Sequence, residues 1–393
     1  LQQSTKNGLG LNLYVDGRFG SFSTNRLDKK ELETLIPNGI ESTRYLAVDE
    51  SRMLADPARY YKGGKPDLQL FDKKLYEVNP DDKVAIARAA AEEVLGKDER
   101  IISVDSSYSD GEGSSYRLIS NGFEGESKST WFSVSASVSI KGEGEARPQD
   151  YWYDSALFYD KLTKAGIGAK ALERVLRKLG QKKAKSGKYT MVVDPMNVGN
   201  LLSPMLSALY GSALQQKNSF LMDKLDTKVA SDLFTLRDEP HAIGANGSRY
   251  FDNEGVATEP RTVFDKGVLK TYFIDTYNGK KMDIAPTISA PSRLILTPGD
   301  KDLNGLVADI KQGILVTGFN GGNSNSSTGD FSYGIEGFLI EDGKLTQPVN
   351  EMNVTGNMVT LWNSLVAVGN DPQPNRSWQI PSLVFEGVDF SGL

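Results

Sequence analysis

Apolar residues recur along this chain with two different periods, and the changes between them predict its elements. Near the start, Leu11 to Val15 and Arg18 to Ser23 flank Asp16-Gly17, a pair that accepts the positive φ angles of a two-residue hairpin turn. Asp28 then caps a short helix carrying Leu32 and Leu35. Pro80-Asp81-Asp82 opens a clearer helix whose apolar face is Val84, Ile86, Ala87, Ala90, Ala91, Val94 and Leu95, with Gly96 ending it. From Ile101 to Phe158 the period becomes two. Trp131, Ser133, Ser135 and Ser137 alternate there with Phe132, Val134, Ala136, Val138 and Ile140. Gly111, Asn121-Gly122 and Gly142 to Gly144 read as the turns of an antiparallel meander. Ala171, Leu172, Val175, Leu176 and Leu179 return to helical spacing, and Gly180 closes that helix.

The Lys/Gly/Ser-rich stretch Gln181 to Lys188 is the best domain boundary and divides the chain into 1–185 and 186–393. Beyond it, Tyr189 to Val193 reads as a strand, and Asp194-Pro195 leads into one helix from about Val198 to Leu214. Strands are expected at Asp232 to Arg237, Val256 to Phe264, Val268 to Ile274, Leu294 to Leu296 and Ile314 to Phe319, with a helix at Leu303 to Gln312. Gly321 to Gly329 is too polar for a core and reads as a loop. Tyr333 to Ile340 pairs with Lys344 to Val349 across Asp342-Gly343, Asn357 to Val366 is helical, and Leu383 to Val388 is a last strand. Hairpin-connected strands mixed with helices predict an α+β fold of two domains. The first is an N-terminal α/β domain holding the meander, and the second is a mainly antiparallel β domain with flanking helices.

Composition narrows the function classes. An excess of 51 acidic over 45 basic residues gives a net charge of -6, which opposes nucleic-acid binding by phosphate neutralisation. Lys178, Lys182, Lys183, Lys185 and Lys188 form the one dense basic run and read as the solvated end of a helix. No run of 18 apolar residues is present to span a membrane. Absence of cysteine fits a reducing cytoplasm, and a start at Leu1 rather than Met leaves an N-terminal piece expected to be missing.

With a single histidine and no cysteine, common zinc and thiol chemistry has almost nothing to work with. His241, in Asp238-Glu239-Pro240-His241, has no Gly-x-Ser-x-Gly elbow to serve and reads as a turn residue. Asp252 and Glu254, two apart at a strand entry, suit a hard cation or an acid/base pair, though a turn with capped amides fits them better. The glycines Gly318, Gly321, Gly322 and Gly329 offer bare amides to an anion, or form a mobile loop facing a cleft.

Taken in order, the second half resembles the TldD/PmbA family, whose members were once labelled modulators of DNA gyrase. The matching pieces include Val193-Asp194-Pro195, Ser219-Phe220-Leu221, Ser231-Asp232-Leu233-Phe234-Thr235, Phe251-Asp252-Asn253-Glu254-Gly255-Val256-Ala257-Thr258 and Gly267-Val268-Leu269. They continue with Thr328-Gly329-Asp330-Phe331-Ser332, Gly337-Phe338-Leu339-Ile340-Glu341-Asp342-Gly343-Lys344, Pro348-Val349, Thr355-Gly356-Asn357 and Val368-Gly369-Asn370-Asp371. Gly8-Leu9-Gly10-Leu11 and the meander match more loosely. The resemblance implies paired cytosolic zinc metalloprotease subunits. In the TldD type, a helix carries His-Glu-x-x-x-His, giving zinc two imidazoles and a glutamate that activates water.

Those motif positions fall here on Leu202, Ser203 and Ser207, and the family's later cysteine ligand is absent too. The chain is therefore similar to the TldE (PmbA) subunit. That similarity implies no catalytic residue and no metal in this chain, with zinc in a TldD-like partner and a peptide as substrate. The pairing implied is a heterodimer, with a homodimer as the alternative, and neither nucleic acid nor membrane is a partner. Asp252, Glu254, Asn323, Asp330 and Ser332 are the candidates for a peptide cleft or interface, and Asp252, Glu254, Asp330 or Ser332 for a metal-independent hydrolytic site.

Overall fold

In the computed structural model, which describes all 393 residues, the first hairpin forms where Asp16-Gly17 allows it. β1 (Leu9–Val15) pairs antiparallel with β2 (Arg18–Thr24), and the two turn residues take φ values of 51° and 73°. α1 (Lys29–Arg44) begins at Asp28, whose carboxylate accepts from the Glu31 amide, and runs for 16 residues rather than as a short helix. α2 (Pro80–Glu92) is capped by Asn79 accepting from the Asp82 amide. Its turns and the residues just beyond bury Ala90 and Val94 but leave Val84 and Leu95 exposed, so the apolar face is narrower than its composition suggests.

β3 (Ile101–Ile119), β4 (Phe123–Ile140) and β5 (Gln149–Ala156) make the meander, in that spatial order. Period two decides its faces. Phe132, Val134, Ala136, Val138 and Ile140 are all fully buried, in one core with Ala171 and Val175 of α3 (Ile167–Leu176). Gly111 is not a turn. It lies within β3 opposite Trp131, where a Cβ would come within 2.9 Å of the indole, so the glycine makes room for a ring instead of bending the chain. The Asn121-Gly122 turn carries the long β3–β4 hairpin out of this core. Phe123 packs there against Tyr60 and Phe251 in the larger second core, tying the two halves together.

The second half starts with β6 (Gly187–Val193), followed by two helices, α4 (Gly199–Ser207) and α5 (Gly211–Gln215), in place of one. The break is at Tyr210, which is extended at ψ 141°. There the Gly211 amide donates to Phe273 O and the Phe273 amide to Leu209 O, so a strand-like bridge takes the groups that a continuous helix would need. Next come β7 (Leu236–Asp238), β8 (Arg261–Asp265) and β9 (Val268–Leu269), all shorter than their apolar runs. Their flanks bond to loops instead, as when the Gly267 amide donates to Phe234 O and the Lys266 amide to Thr235 Oγ1. α6 (Thr276–Met282) has no apolar period and is set by its Asp275 cap, which accepts from the Asn278 amide.

β10 (Leu294–Leu296) and α7 (Leu303–Ala308) lead into β11 (Gln312–Ser324), β12 (Asp330–Glu341) and β13 (Lys344–Asn357). β11 continues through the first part of the glycine-rich stretch because two bulges absorb extra residues. At the second bulge Gly322 takes φ 96°, and a Cβ would lie 2.1 Å from Ser332 O. α8 (Met358–Asn363) ends early, since β14 (Leu365–Val368) pairs with β16 (Leu383–Ser391); β15 (Trp378–Gln379) adds to β10.

β13, β12, β11, β6 and β16 are hydrogen-bonded in that order, and β16 returns to β13 through Val354–Phe390 and its neighbours, closing the ring. Closure removes edges that would otherwise pair with other chains. Met191 and Val193 of β6 join the large core with Leu201, Leu202 and Met205 of α4, while Val192 packs with Leu306 and Val307 of α7. Burial on both faces is why Met191-Val192-Val193 does not alternate.

Candidate functional site

α4 turns its apolar residues inward. Leu201, Leu202, Met205 and Leu206 are buried, whereas Ser203 and Ser207, one turn apart, share the exposed face. Leu202 is 0% exposed, so its side chain and the two hydroxyls face opposite environments.

The loop from Phe251 to Thr258 is organised by Asp252. This carboxylate is 2% exposed; Oδ1 accepts from the Glu254 and Val256 amides at 2.8 and 3.0 Å, and Oδ2 from the Ser289 amide at 3.0 Å. Its lone pairs are used to hold a turn against the 289 segment. Replacing it by alanine strands three amides, and Asp252→Ala is expected to cost about 3 kcal/mol, with Asp252→Asn retaining part of that. Urea denaturation checks both.

Glu254 is half-buried, with Oε2 accepting from the Thr276 amide and Oγ1, each at 3.0 Å. Burial pushes its carboxyl above the usual range, and the nearby Asp252 adds to the shift. A folded-state pKa raised above the unfolded one contributes stability at low pH that is lost as pH rises through the folded value. Glu254→Gln removes this titration. Its melting temperature is expected to gain on the parent's as pH rises above the ordinary glutamate range, as thermal scans at rising pH would reveal.

Asn323, Asp330 and Ser332 lie together at the exposed end of the β11–β12 hairpin, with Asn323 directly opposite Ser332. Asp330 accepts from Asn357 Nδ2 at 2.9 Å and Thr328 Oγ1 at 2.7 Å, and these bonds hold its carboxyl below the ordinary range. The hairpin end is anchored on the segment after α5: the Phe220 amide donates to Ser326 O, and Ser326 and Ser327 both donate to Asn218 Oδ1 at 2.6 Å. Three separated sequence pieces, around Phe220, Asp330 and Asn357, thus meet at one end of the ring. No hydrogen bond joins this group to Asp252 or Glu254, which face Ser289 and Thr276.

His241 sits in a turn, with Nε2 3.1 Å from Thr258 Oγ1 and its ring 5.0 Å from that of Tyr250. Burial holds its imidazole below the usual histidine range. Lys178, by contrast, is not a solvated helix end. It is 8% exposed, 2.7 Å from Glu336 Oε1 and 3.2 Å from Asp150 Oδ2, and it donates to Gln149 O. Arg174 completes the cluster, 3.3 Å from Asp150 and 3.8 Å from Asp194. The available signal was positional: Lys178 lies three residues past the buried Val175, in the turn that ends α3.

The model of the PmbA/TldA metallopeptidase C-terminal domain matches residues 186–392, and that of the central domain matches residues 73–179. The chain belongs to the PmbA/TldD metallopeptidase family. A metalloprotease PmbA homologue of Haemophilus influenzae is 28% identical over 98% of this chain and 85% of its own length; metalloprotease PmbA of Escherichia coli O157:H7 is 27% identical with the same coverage. Among solved structures, a Bacteroides thetaiotaomicron protein described as a proposed modulator of DNA gyrase is 73% identical. It superposes with a TM-score of 0.99, covering 100% of this chain and 90% of that one. TldE from Thermococcus kodakarensis, 22% identical with a TM-score of 0.81 over 98% of this chain and 89% of its own, shares the fold.

A catalytic zinc of the PmbA/TldD type does not fit the residues present. No group of three or more His, Cys, Asp or Glu side chains stands together to hold a metal ion. On α4, Leu202 is packed in the core and Ser203 and Ser207 offer only outward hydroxyls.

Proposed function

We propose that this chain is a TldE-like, non-catalytic subunit of a cytosolic zinc metallopeptidase, acting in proteolysis or peptide maturation with a TldD-like partner. The observation that carries this reading is α4, where the zinc-helix positions hold a core leucine, Leu202, and the hydroxyls Ser203 and Ser207. Water activation by zinc needs nitrogen, sulfur or carboxylate ligands with a base beside them, and these positions offer none. Zinc and the base then belong to the partner, and this chain contributes the rest of a shared chamber. A peptide substrate bound there would lie extended along strand edges, where backbone pairing tolerates many sequences.

No helix is long and apolar enough to cross a membrane. Light scattering on this chain mixed with a TldD-like chain from the same genome is expected to give a one-to-one complex. A stable homodimer that ignores the partner and binds peptide would instead support a peptide-binding protein without proteolytic activity.

A further inference from the structure

Between α3 and the C-terminal half lies a cleft of about 340 Å³, lined on one side by Arg174, Arg177 and Lys178 and on the other by α7, Leu315, Phe338 and Lys344. The cations differ in what they have left to give. Lys178 is fully engaged by Glu336, Asp150 and Gln149 O. Arg174 is not: its side chain is only 12% exposed, yet of its N–H donors only Nε makes a hydrogen bond, to Asp150 Oδ1. Nη1 stands 3.8 Å from Asp194 Oδ2, beyond hydrogen-bond reach, and the Nη groups are not sealed from the cleft. The Arg177 guanidinium carbon lies over Phe338, 4.6 Å from the ring centroid, with its nearest carboxylate, Glu173, at 3.9 Å. Lys344, exposed at the start of β13, also lines the cleft.

A guanidinium with unclaimed donors inside a half-apolar cleft matches one ligand chemistry well. Its planar fork pairs with a carboxylate through two parallel bonds, and partial burial strengthens them. The far wall, built from Val307, Leu315 and Phe338, is apolar and suits a ring or a branched chain. The volume is that of a small organic molecule, and a junction between two packed halves is a common place for such sites. The lining holds two carboxylates, Asp150 and Asp194, against four cations; Arg174 and Lys178 stand beside those acids, and Arg177 and Lys344 leave the excess positive.

We propose that this cleft binds a small organic monocarboxylate, with its carboxylate on Arg174, Arg177 and Lys344 and its apolar part against Val307, Leu315 and Phe338. Such a ligand would touch α3 and α7 together, so its occupancy would stiffen the junction between the two halves. The probe is 4-bromobenzoate, titrated calorimetrically into the full chain and soaked into its crystals. One molecule per chain is expected, with the bromine anomalous peak in this cleft. Binding should weaken at least about tenfold in Arg177→Glu/Lys344→Glu, and the neutral isostere 4-bromobenzyl alcohol should bind weaker by about the same factor. Both positions are well exposed, and Lys344→Glu alone, expected to weaken binding severalfold, serves if the double variant does not fold. No saturable binding, equal affinity for the alcohol, unchanged affinity in the variants, or bromine elsewhere would each overturn the assignment.

Discussion

Leu202→His is expected to lower stability by about 3–5 kcal/mol, while Ser203→Glu and Ser207→His each stay within about 0.5 kcal/mol of the parent. The asymmetry follows from α4. Leu202 is fully buried beside Leu201 and Met205, and an imidazole there forfeits apolar contacts and buries nitrogens that have no partner. The two serines face outward and lose nothing. Writing His-Glu-x-x-x-His into these three positions is therefore not expected to create a zinc site. The triple variant should be destabilised by roughly the Leu202 cost alone and bind no stoichiometric zinc. A stable, zinc-loaded triple variant would show that the inner face of α4 is an adaptable site and not core. Chemical denaturation and metal analysis on the same preparations decide it.

Lys178→Met should be as costly, about 3–5 kcal/mol, because it strips Glu336, whose side chain is 17% exposed, of its ion-pair partner and leaves Asp150, 6% exposed, with Arg174 alone. Its removal leaves the Glu336 carboxylate desolvated and unpaired, while Asp150 keeps only one of its two cations. Lys188→Met, from the same basic run but with an ion pair 68% and 59% exposed, is expected to change stability by less than about 0.5 kcal/mol. Adding Glu336→Leu to Lys178→Met should restore part of the loss, since one stranded charge disappears. Equal effects at Lys178 and Lys188 would mean that the buried network does not couple α3 to β12.

The meander, the hairpins and the α+β class were legible because apolar residues on one face of each element record burial directly. The same signal misled where both faces are covered or where a tertiary contact captures the backbone. Val198 to Leu214 is apolar throughout, yet Phe273 takes the hydrogen bonds at Leu209 and Gly211 and divides it. Gly111 resembles a turn residue in sequence, and only the position of Trp131 opposite it explains the missing side chain.

For the candidate site, Leu202, Ser203 and Ser207 were singled out by the resemblance alone, and the opposite exposure of Leu202 and Ser207 needed the packed helix. The charge cluster was hidden because its members, Asp150, Arg174, Lys178, Asp194 and Glu336, come from four separated segments, and a lysine among lysines carries no mark of burial.

Whether the chemistry belongs to a second chain is tested most directly by hydrolysis of a quenched fluorescent peptide. The assay compares the purified chain, a TldD-like chain from the same genome, and the two together, with zinc counted per chain. The expected result is no hydrolysis and no stoichiometric zinc for this chain alone, with hydrolysis and about one zinc per pair in the mixture. Peptide hydrolysis by this chain alone with one bound zinc would contradict the assignment.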